Sequence, residues 1–190
     1  MSTHLCPWWL TYTFDNPFRA CFHKPADILT PYVAPSMTVA DIGCGFGYFS
    51  IGLARLVGKK GKVIAVDIQQ KMLEKSEQRA RKAGVSEIIE FHKCSYDSLN
   101  INHSLNFALA FWMVHETEDN TYFFQQVHAA LKPGGRFLMV EPKLHVSAIQ
   151  FNKQVHLTEN TGFLKIGEPK IRLSRSAVFQ KMSTSDAKIQ

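Results

Sequence analysis

Residues 41–50 read Asp41-Ile42-Gly43-Cys44-Gly45-Phe46-Gly47-Tyr48-Phe49-Ser50. The apolar pair Val39-Ala40 leads into them, and a helical pattern (Ile51, Leu53, Ala54, Leu56, Val57) follows. The stretch is therefore a strand, a glycine turn and a helix. Three glycines in five residues allow positive φ and remove the Cβ atoms that would keep a ligand from the backbone. The turn ends where the helix begins, so unbonded N–H groups and the positive end of the helix dipole face the same space. Such a place suits a carboxylate, a phosphate or a ribose. The next apolar run, Lys62-Val63-Ile64-Ala65-Val66-Asp67, closes on a second acid. Asp67 stands 20 residues after Gly47, the spacing at which a carboxylate on a neighbouring strand meets ribose hydroxyls.

The glycine pattern discriminates between nucleoside cofactors. The dinucleotide fingerprint needs glycine at its first, third and sixth places, and counting from Gly43 the sixth is Tyr48. An NAD-linked enzyme is therefore disfavoured. An acid two residues before Gly-x-Gly-x-Gly resembles instead the first motif of class I S-adenosylmethionine (SAM) dependent methyltransferases. Three more segments carry the same resemblance in the same order. Ala65-Val66-Asp67-Ile68 is similar to the ribose-binding strand end. Val114-His115-Glu116 stands where small-molecule methyltransferases often place a histidine after the fourth strand. Leu131-Lys132-Pro133-Gly134-Gly135-Arg136-Phe137 is similar to the turn before their fifth strand. The resemblance spans about residues 36–180 and includes quinone-biosynthesis C-methyltransferases among its members. Each segment alone is also an ordinary glycine turn, capping acid or tight turn; their joint order is what an ordinary fold leaves unexplained.

The resemblance implies an α/β fold, a Rossmann-like doubly wound, mostly parallel seven-stranded sheet ending in an antiparallel hairpin. It also implies SAM as cofactor, with S-adenosylhomocysteine as product. It places Gly43, Cys44, Gly45, Phe46 and Gly47 along the methionine part and Asp67 on the ribose, with Ile68 against the adenine face and Phe111 at the rim. Asp41 is expected to order the glycine loop through backbone N–H groups and to reach the cofactor's amino group through water. Where these enzymes often carry an acid for the adenine amino group, this chain has Cys94. Adenine recognition then falls to backbone groups, Ser95 or Asp97.

The pattern along the chain agrees. Strands are expected at about 38–42, 62–67, 88–92, 107–111 and 136–140, alternating with helices at about 47–57, 70–83, 120–131 and 147–161. Met72, Leu73 and Ala80 mark the buried face of the second helix. Alternation of this kind makes a parallel sheet with right-handed crossovers, which binds ligands at the carboxyl ends of its strands. Asp41, Asp67, Cys94, Phe111 and Glu141 all fall on that rim. Leu164–Gly167 and Ala177–Gln180 read as the closing hairpin, at the sheet edge, and residues 183–190 as a polar tail.

Methyl transfer from a sulfonium needs alignment, exclusion of water and, for some acceptors, a base. His115 is the candidate base, since its ordinary pKa is suited to proton transfer near neutrality; a packing or capping histidine is the plain alternative. Glu116 either orients the ring or faces solvent. Glu141 either binds the acceptor or pairs with Lys143 or Arg136.

Residues 1–36 form an aromatic-rich leader broken by five prolines. Its rings each bury on the order of 150–250 Å² when packed, so a lid over the cofactor is expected, with Trp9 and Tyr12 toward the acceptor. His4, Cys6, Cys21 and His23 are weak candidates for a metal, because their one-residue spacing is not that of a zinc finger; packing is the default. A metal- or metalloid-linked methyltransferase using that leader is a minor alternative. A SAM-binding sensor or partner subunit without catalysis is the non-enzyme alternative.

At 190 residues and 45% apolar composition the chain is read as one methyltransferase domain, about 37–182, behind its leader. No apolar run approaches the roughly 18–20 residues that span a bilayer. The start lacks the layout of a signal peptide. Four scattered cysteines do not make a disulfide framework, which points to the cytoplasm. A net charge of +6 without a basic, aromatic-interleaved stripe does not suit nucleic acid. The expected partner is a small-molecule methyl acceptor, and the expected state is a monomer or homodimer.

Overall fold

The computed structural model describes residues 22–182. Seven strands form one sheet: β1 (Thr38–Ile42), β2 (Lys62–Asp67), β3 (Ile89–Lys93), β4 (Leu105–Phe111), β5 (Leu131–Pro142), β6 (Phe163–Gly167) and β7 (Ser174–Lys181). Their spatial order is β3-β2-β1-β4-β5-β7-β6. The pairs β1–β2, β1–β4, β2–β3 and β4–β5 are parallel, whereas β7 runs antiparallel to both β5 and β6. The closing hairpin is therefore present at the edge, but with β7 slotted inside β6.

Among the described residues five α-helices accompany the sheet: α1 (Pro25–Leu29), α2 (Tyr48–Val57), α3 (Gln70–Lys82), α4 (Asn120–Ala130) and α5 (Ala148–Asn160). Side chains alternate across each strand, so the continuous apolar runs feed two cores. Val39, Val63, Phe107, Leu109 and Leu138 pack with Leu29, Leu53 and Leu73 from α1, α2 and α3. Ala40, Ile64, Ala108, Phe137 and Met139 pack with Phe124 and Phe151 from α4 and α5. A strand covered on both faces needs apolar residues at every position, which is why β4 reads as an unbroken run. Met72, Leu73 and Ala80 are buried on α3 as the helical spacing predicts.

The largest boundary difference from the sequence reading is at β5. Strand β5 begins at Leu131, five residues early, because Leu131 already pairs with Leu105. The next matched pair is Phe107 with Arg136, so β4 advances two residues while β5 advances five, and the Lys132–Gly135 turn is extruded from the ladder as a bulge. Helix α5 opens on a capping box in which Ser147 and Gln150 satisfy each other's backbone N–H groups.

Only the last part of the leader lies among the described residues. His23 sits against Phe111 at the carboxyl end of β4, and Tyr32 stacks on Phe107 near its start with ring centroids 5.9 Å apart. Residues 23–32 thus run down the flank of the sheet rather than across its rim. Trp9, Tyr12, His4, Cys6 and Cys21 lie outside the described residues, as does the polar tail.

Candidate active site

Two constructions meet at the carboxyl ends of the strands. The first is the glycine loop between β1 and α2. Gly43, Gly45 and Gly47 all have left-handed backbones, with φ of 71°, 53° and 76°. The Gly43 and Cys44 N–H groups both donate to Val66 O, at 2.8 and 2.9 Å, clamping the loop to β2. Space is as decisive as φ. A Cβ on Gly47 would lie 2.1 Å from Ser76 Oγ of α3, and one on Gly43 would lie 2.7 Å from Met113 Cγ in the turn after β4. Gly47 is the N-cap of α2, in a left-handed backbone and without a side chain to stand between that helix end and a ligand.

Asp67, 7% exposed, fastens the loop. Its Oδ2 accepts from Gly45 N and its Oδ1 from Gln69 N, both at 2.9 Å. Burial raises its pKa, and hydrogen bonds from the Gln69, Gly45 and Ile68 amides pull it back only in part. Asp41, expected to order the loop's N–H groups, accepts the Ser50 hydroxyl at 2.5 Å and so ties β1 to α2. At 2% exposure it is nearly sealed from the rim.

The other predicted loop residues divide. Cys44 and Phe46 are buried, so the loop's main chain is what faces outward. Burial pushes the Cys44 thiol well above its usual range, with the charges of Asp67, Asp41 and the neighbouring Cys94 adding to the effect. Burial, with Asp67 beside it, pushes Cys94 up to about 11. Both thiols are therefore protonated, apolar lining rather than nucleophiles. Ile68 is half-buried, and Ser95 is exposed, its amide donating to Ser98 O at 3.0 Å. Phe111 is 6% exposed and its ring packs on Phe49, 4.2 Å between centroids, so its side chain belongs to the core rather than to a ligand.

The second construction lies beyond β4. Trp112 holds a left-handed backbone, φ 60°, a strained conformation for a bulky residue. Its N–H donates to Val140 O at 2.7 Å and its indole Nε1 to Ser174 Oγ at 2.9 Å. A single 3₁₀ turn, Val114–Glu116, follows. Glu141, at the end of β5 and 0% exposed, sits beneath it. Oε1 accepts from Val114 N at 3.1 Å, and Oε2 from His115 N at 3.1 Å and from His115 Nδ1 at 2.8 Å. Burial alone would lower the His115 pKa; the Glu141 hydrogen bond and charge, with Glu116 adding, outweigh it and the net shift is upward. The His145 ring stands edge-on to His115, 5.8 Å between centroids.

Two expectations are corrected here. Glu141 cannot touch an acceptor or pair with Lys143 or Arg136, because it is buried and its oxygens are turned to the Val114–His115 turn. The hydrogen bond that orients the His115 ring is the one to Glu141, and Glu116 adds its charge. His23 is a packing residue: it is 2% exposed, its Nε2 donates to Arg172 O at 2.7 Å, and its ring sits edge-on to Phe111 and Trp112. Among the described residues no three His, Cys, Asp or Glu side chains gather around a metal-sized space.

Comparison with known proteins agrees with this geometry. Residues 34–178 match the family described as Methyltransferase domain, well over half of the chain. The chain belongs to that family. Its cofactor is S-adenosylmethionine, and its sheet is the Rossmann-like one expected of a SAM-dependent methyltransferase. It is 31% identical over 107 residues to the biotin biosynthesis bifunctional protein BioHC of Teredinibacter turnerae, covering 54% of this chain and 19% of that protein. It is 28% identical over 110 residues to the ubiquinone/menaquinone biosynthesis C-methyltransferase UbiE of Escherichia coli, covering 57% of this chain and 44% of that one. The chain thus spans less than half the length of either relative. Its fold matches that of a SAM dependent methyltransferase from Aquifex aeolicus at a TM-score of 0.85 and 19% identity, over 94% of this chain and 100% of the other. No helix among the described residues is long and apolar enough to cross a membrane.

Proposed function

We propose that this methyltransferase domain serves a small-molecule acceptor, with His115 as the general base. The residues at the first construction fit SAM. Asp67 accepts from the Gln69, Gly45 and Ile68 amides, which still leaves one of its roughly four lone-pair positions for a ribose hydroxyl. The left-handed glycine turn lets a carboxylate come close to the main chain at the positive end of the α2 dipole, and Ile68 and Cys94 offer an apolar wall for a base. When bound, SAM supplies an electrophilic methyl on a sulfonium whose departure leaves a neutral thioether.

The chain's own part is then to place the acceptor, exclude water and remove a proton. One observation carries this reading: Met113 packs directly on Gly43. The turn that bears His115 is thereby braced against the loop that would hold the reacting end of the cofactor. His115 has 23% of its side chain exposed, enough to reach an acceptor while most of the ring is held. Scattered cysteines with raised thiol pKa values also fit a reducing cytoplasm.

Calorimetry with SAM and with S-adenosylhomocysteine, followed by a methyl-transfer screen over thiols, phenols, quinols and amines, tests the reading. Tight binding and turnover of at least one class are expected. Binding with no turnover in any class would replace the enzyme with a sensor or partner subunit.

A further inference from the structure

We infer that Glu141 is the positioning residue of His115, holding its proton on Nδ1 so that Nε2 is a base for an acceptor with a weakly acidic O–H or S–H. The inference rests on the methyltransferase reading above and deepens it.

Two of the donors around Glu141 cannot be reversed. Val114 N–H and His115 N–H both point at Glu141, one to each carboxyl oxygen. A backbone N–H only donates, so both oxygens are acceptors there. His115 Nδ1 meets Oε2 at 2.8 Å, the shortest of the three contacts, and an ionised carboxylate only accepts, so Nδ1 donates to it. A neutral imidazole with hydrogen on Nδ1 has its lone pair on Nε2. The tautomer is thus set by geometry.

A purely structural anchor would need only the two amides. Burying a carboxylate is costly unless it is fully partnered, and a neutral loop-holding side chain would avoid that cost. The negative charge is useful when the ring becomes positive. In the proton transfer the acceptor's X–H bond breaks, its electron pair stays on X, and the proton bonds to Nε2. The pair then passes from a net charge of −1 to 0, and the imidazolium forms against a carboxylate already in place. The charged and titratable groups facing the ring are Glu141 from β5, Glu116 from its own turn and His145 from the segment after β5. Two of the three are carboxylates, so the ring's titration lies above its ordinary range, which matches a weakly acidic proton better than a strongly acidic one.

Full-length protein with isotope-labelled histidine nitrogens, followed by long-range proton–nitrogen spectra across pH, tests this directly; His115→Gln assigns the signals. In the wild type the neutral His115 ring should carry hydrogen on Nδ1. In Glu141→Gln the amide NH₂ turned toward Nδ1 should shift the ring toward the Nε2–H form and move its titration to lower pH. Turnover of a phenol or thiol should fall on the order of 10²–10³-fold, its rising pH limb should move down, and KM for SAM should hold. A simple loss of structure would lower activity without moving that limb. An Nε2–H ring in the wild type overturns the inference even if Glu141→Gln fails to fold, and so does an unchanged titration in a folded Glu141→Gln. Turnover of amines alone, with phenols and thiols inert, overturns the acceptor class. A wild type that fails to bind SAM overturns the underlying methyltransferase reading and the catalytic part of this one, whatever the tautomer.

Discussion

At one end of the rim Asp67 accepts backbone N–H groups from residues 2 and 22 positions away in the chain; at the other, Glu141 reaches back 26 and 27 positions to His115 and Val114. Both are buried carboxylates that hold a turn by its amides. Asp67 does so within a single strand–turn–helix–strand unit, and its partners are all main chain, which leaves a lone pair for a ligand. Glu141 does so across two neighbouring strands and adds a side chain, so whatever it contributes to chemistry passes through the His115 ring. One acid is placed to meet a ligand, the other to tune a residue that does.

That contrast can be broken by experiment, and the largest expected effect is on the far side. His115→Ala should lower turnover roughly 10²–10⁴-fold, the usual worth of a positioned base, while SAM affinity measured by calorimetry stays within about a factor of three. Equal losses in both would make the ring a scaffold and erase the division of labour.

Asp67→Ala should show the reverse pattern. Removing a carboxylate that accepts charge-assisted hydrogen bonds should weaken SAM binding by roughly 1.5–3 kcal/mol. Unchanged affinity would withdraw the ribose assignment. Because Gly45 also loses its partner, a fall of the urea midpoint should accompany it.

A third test probes the loop's frame. Gly47→Ala places a methyl group in a left-handed backbone and against Ser76, and should cost about 1–3 kcal/mol of stability by urea unfolding. Combining it with Ser76→Ala should return the part due to the clash and leave the part due to φ. Strict additivity of the two changes would mean that the helix, not the hydroxyl, yields.

The smallest effect is on pH. A histidine whose folded pKa is raised stabilises the fold fully below its unfolded pKa, near 6.5, and loses that contribution as pH rises through the folded value. His115 therefore favours the mildly acidic side. His128, whose pKa burial lowers with Lys181 adding, acts in the opposite sense, since its contribution is lost as pH falls through its folded value. The wild-type urea midpoint minus that of His115→Gln should shrink from pH 6 upward. A difference that is flat with pH would contradict the Glu141 contact.

The same contrast explains what could be read in advance. The Gly43–Gly47 turn, Asp67, the strand and helix alternation and the buried face of α3 all rest on residues close in sequence, where spacing and backbone freedom decide the outcome. The bond from Ser50, in the first turn of α2, to Asp41 was not legible, because it depends on how that helix packs on β1. Ser76, Met113, Trp112 and Ser174 gave no signal of their own: each matters because another element lies against it. For Glu141 a signal existed. Once β4 and β5 are taken as neighbours, Phe111 pairs with Val140, and the next residue must lie beside the turn that carries His115.

What the sequence determined by itself was the order of elements, the parallel sheet and the chemistry offered at the glycine loop, because apolar periodicity, glycine φ and a 20-residue spacing act locally. Which acid faces which histidine was decided only by the tertiary structure. Strand order brings the end of β5 under the turn after β4, and a buried carboxylate must take every donor within its reach.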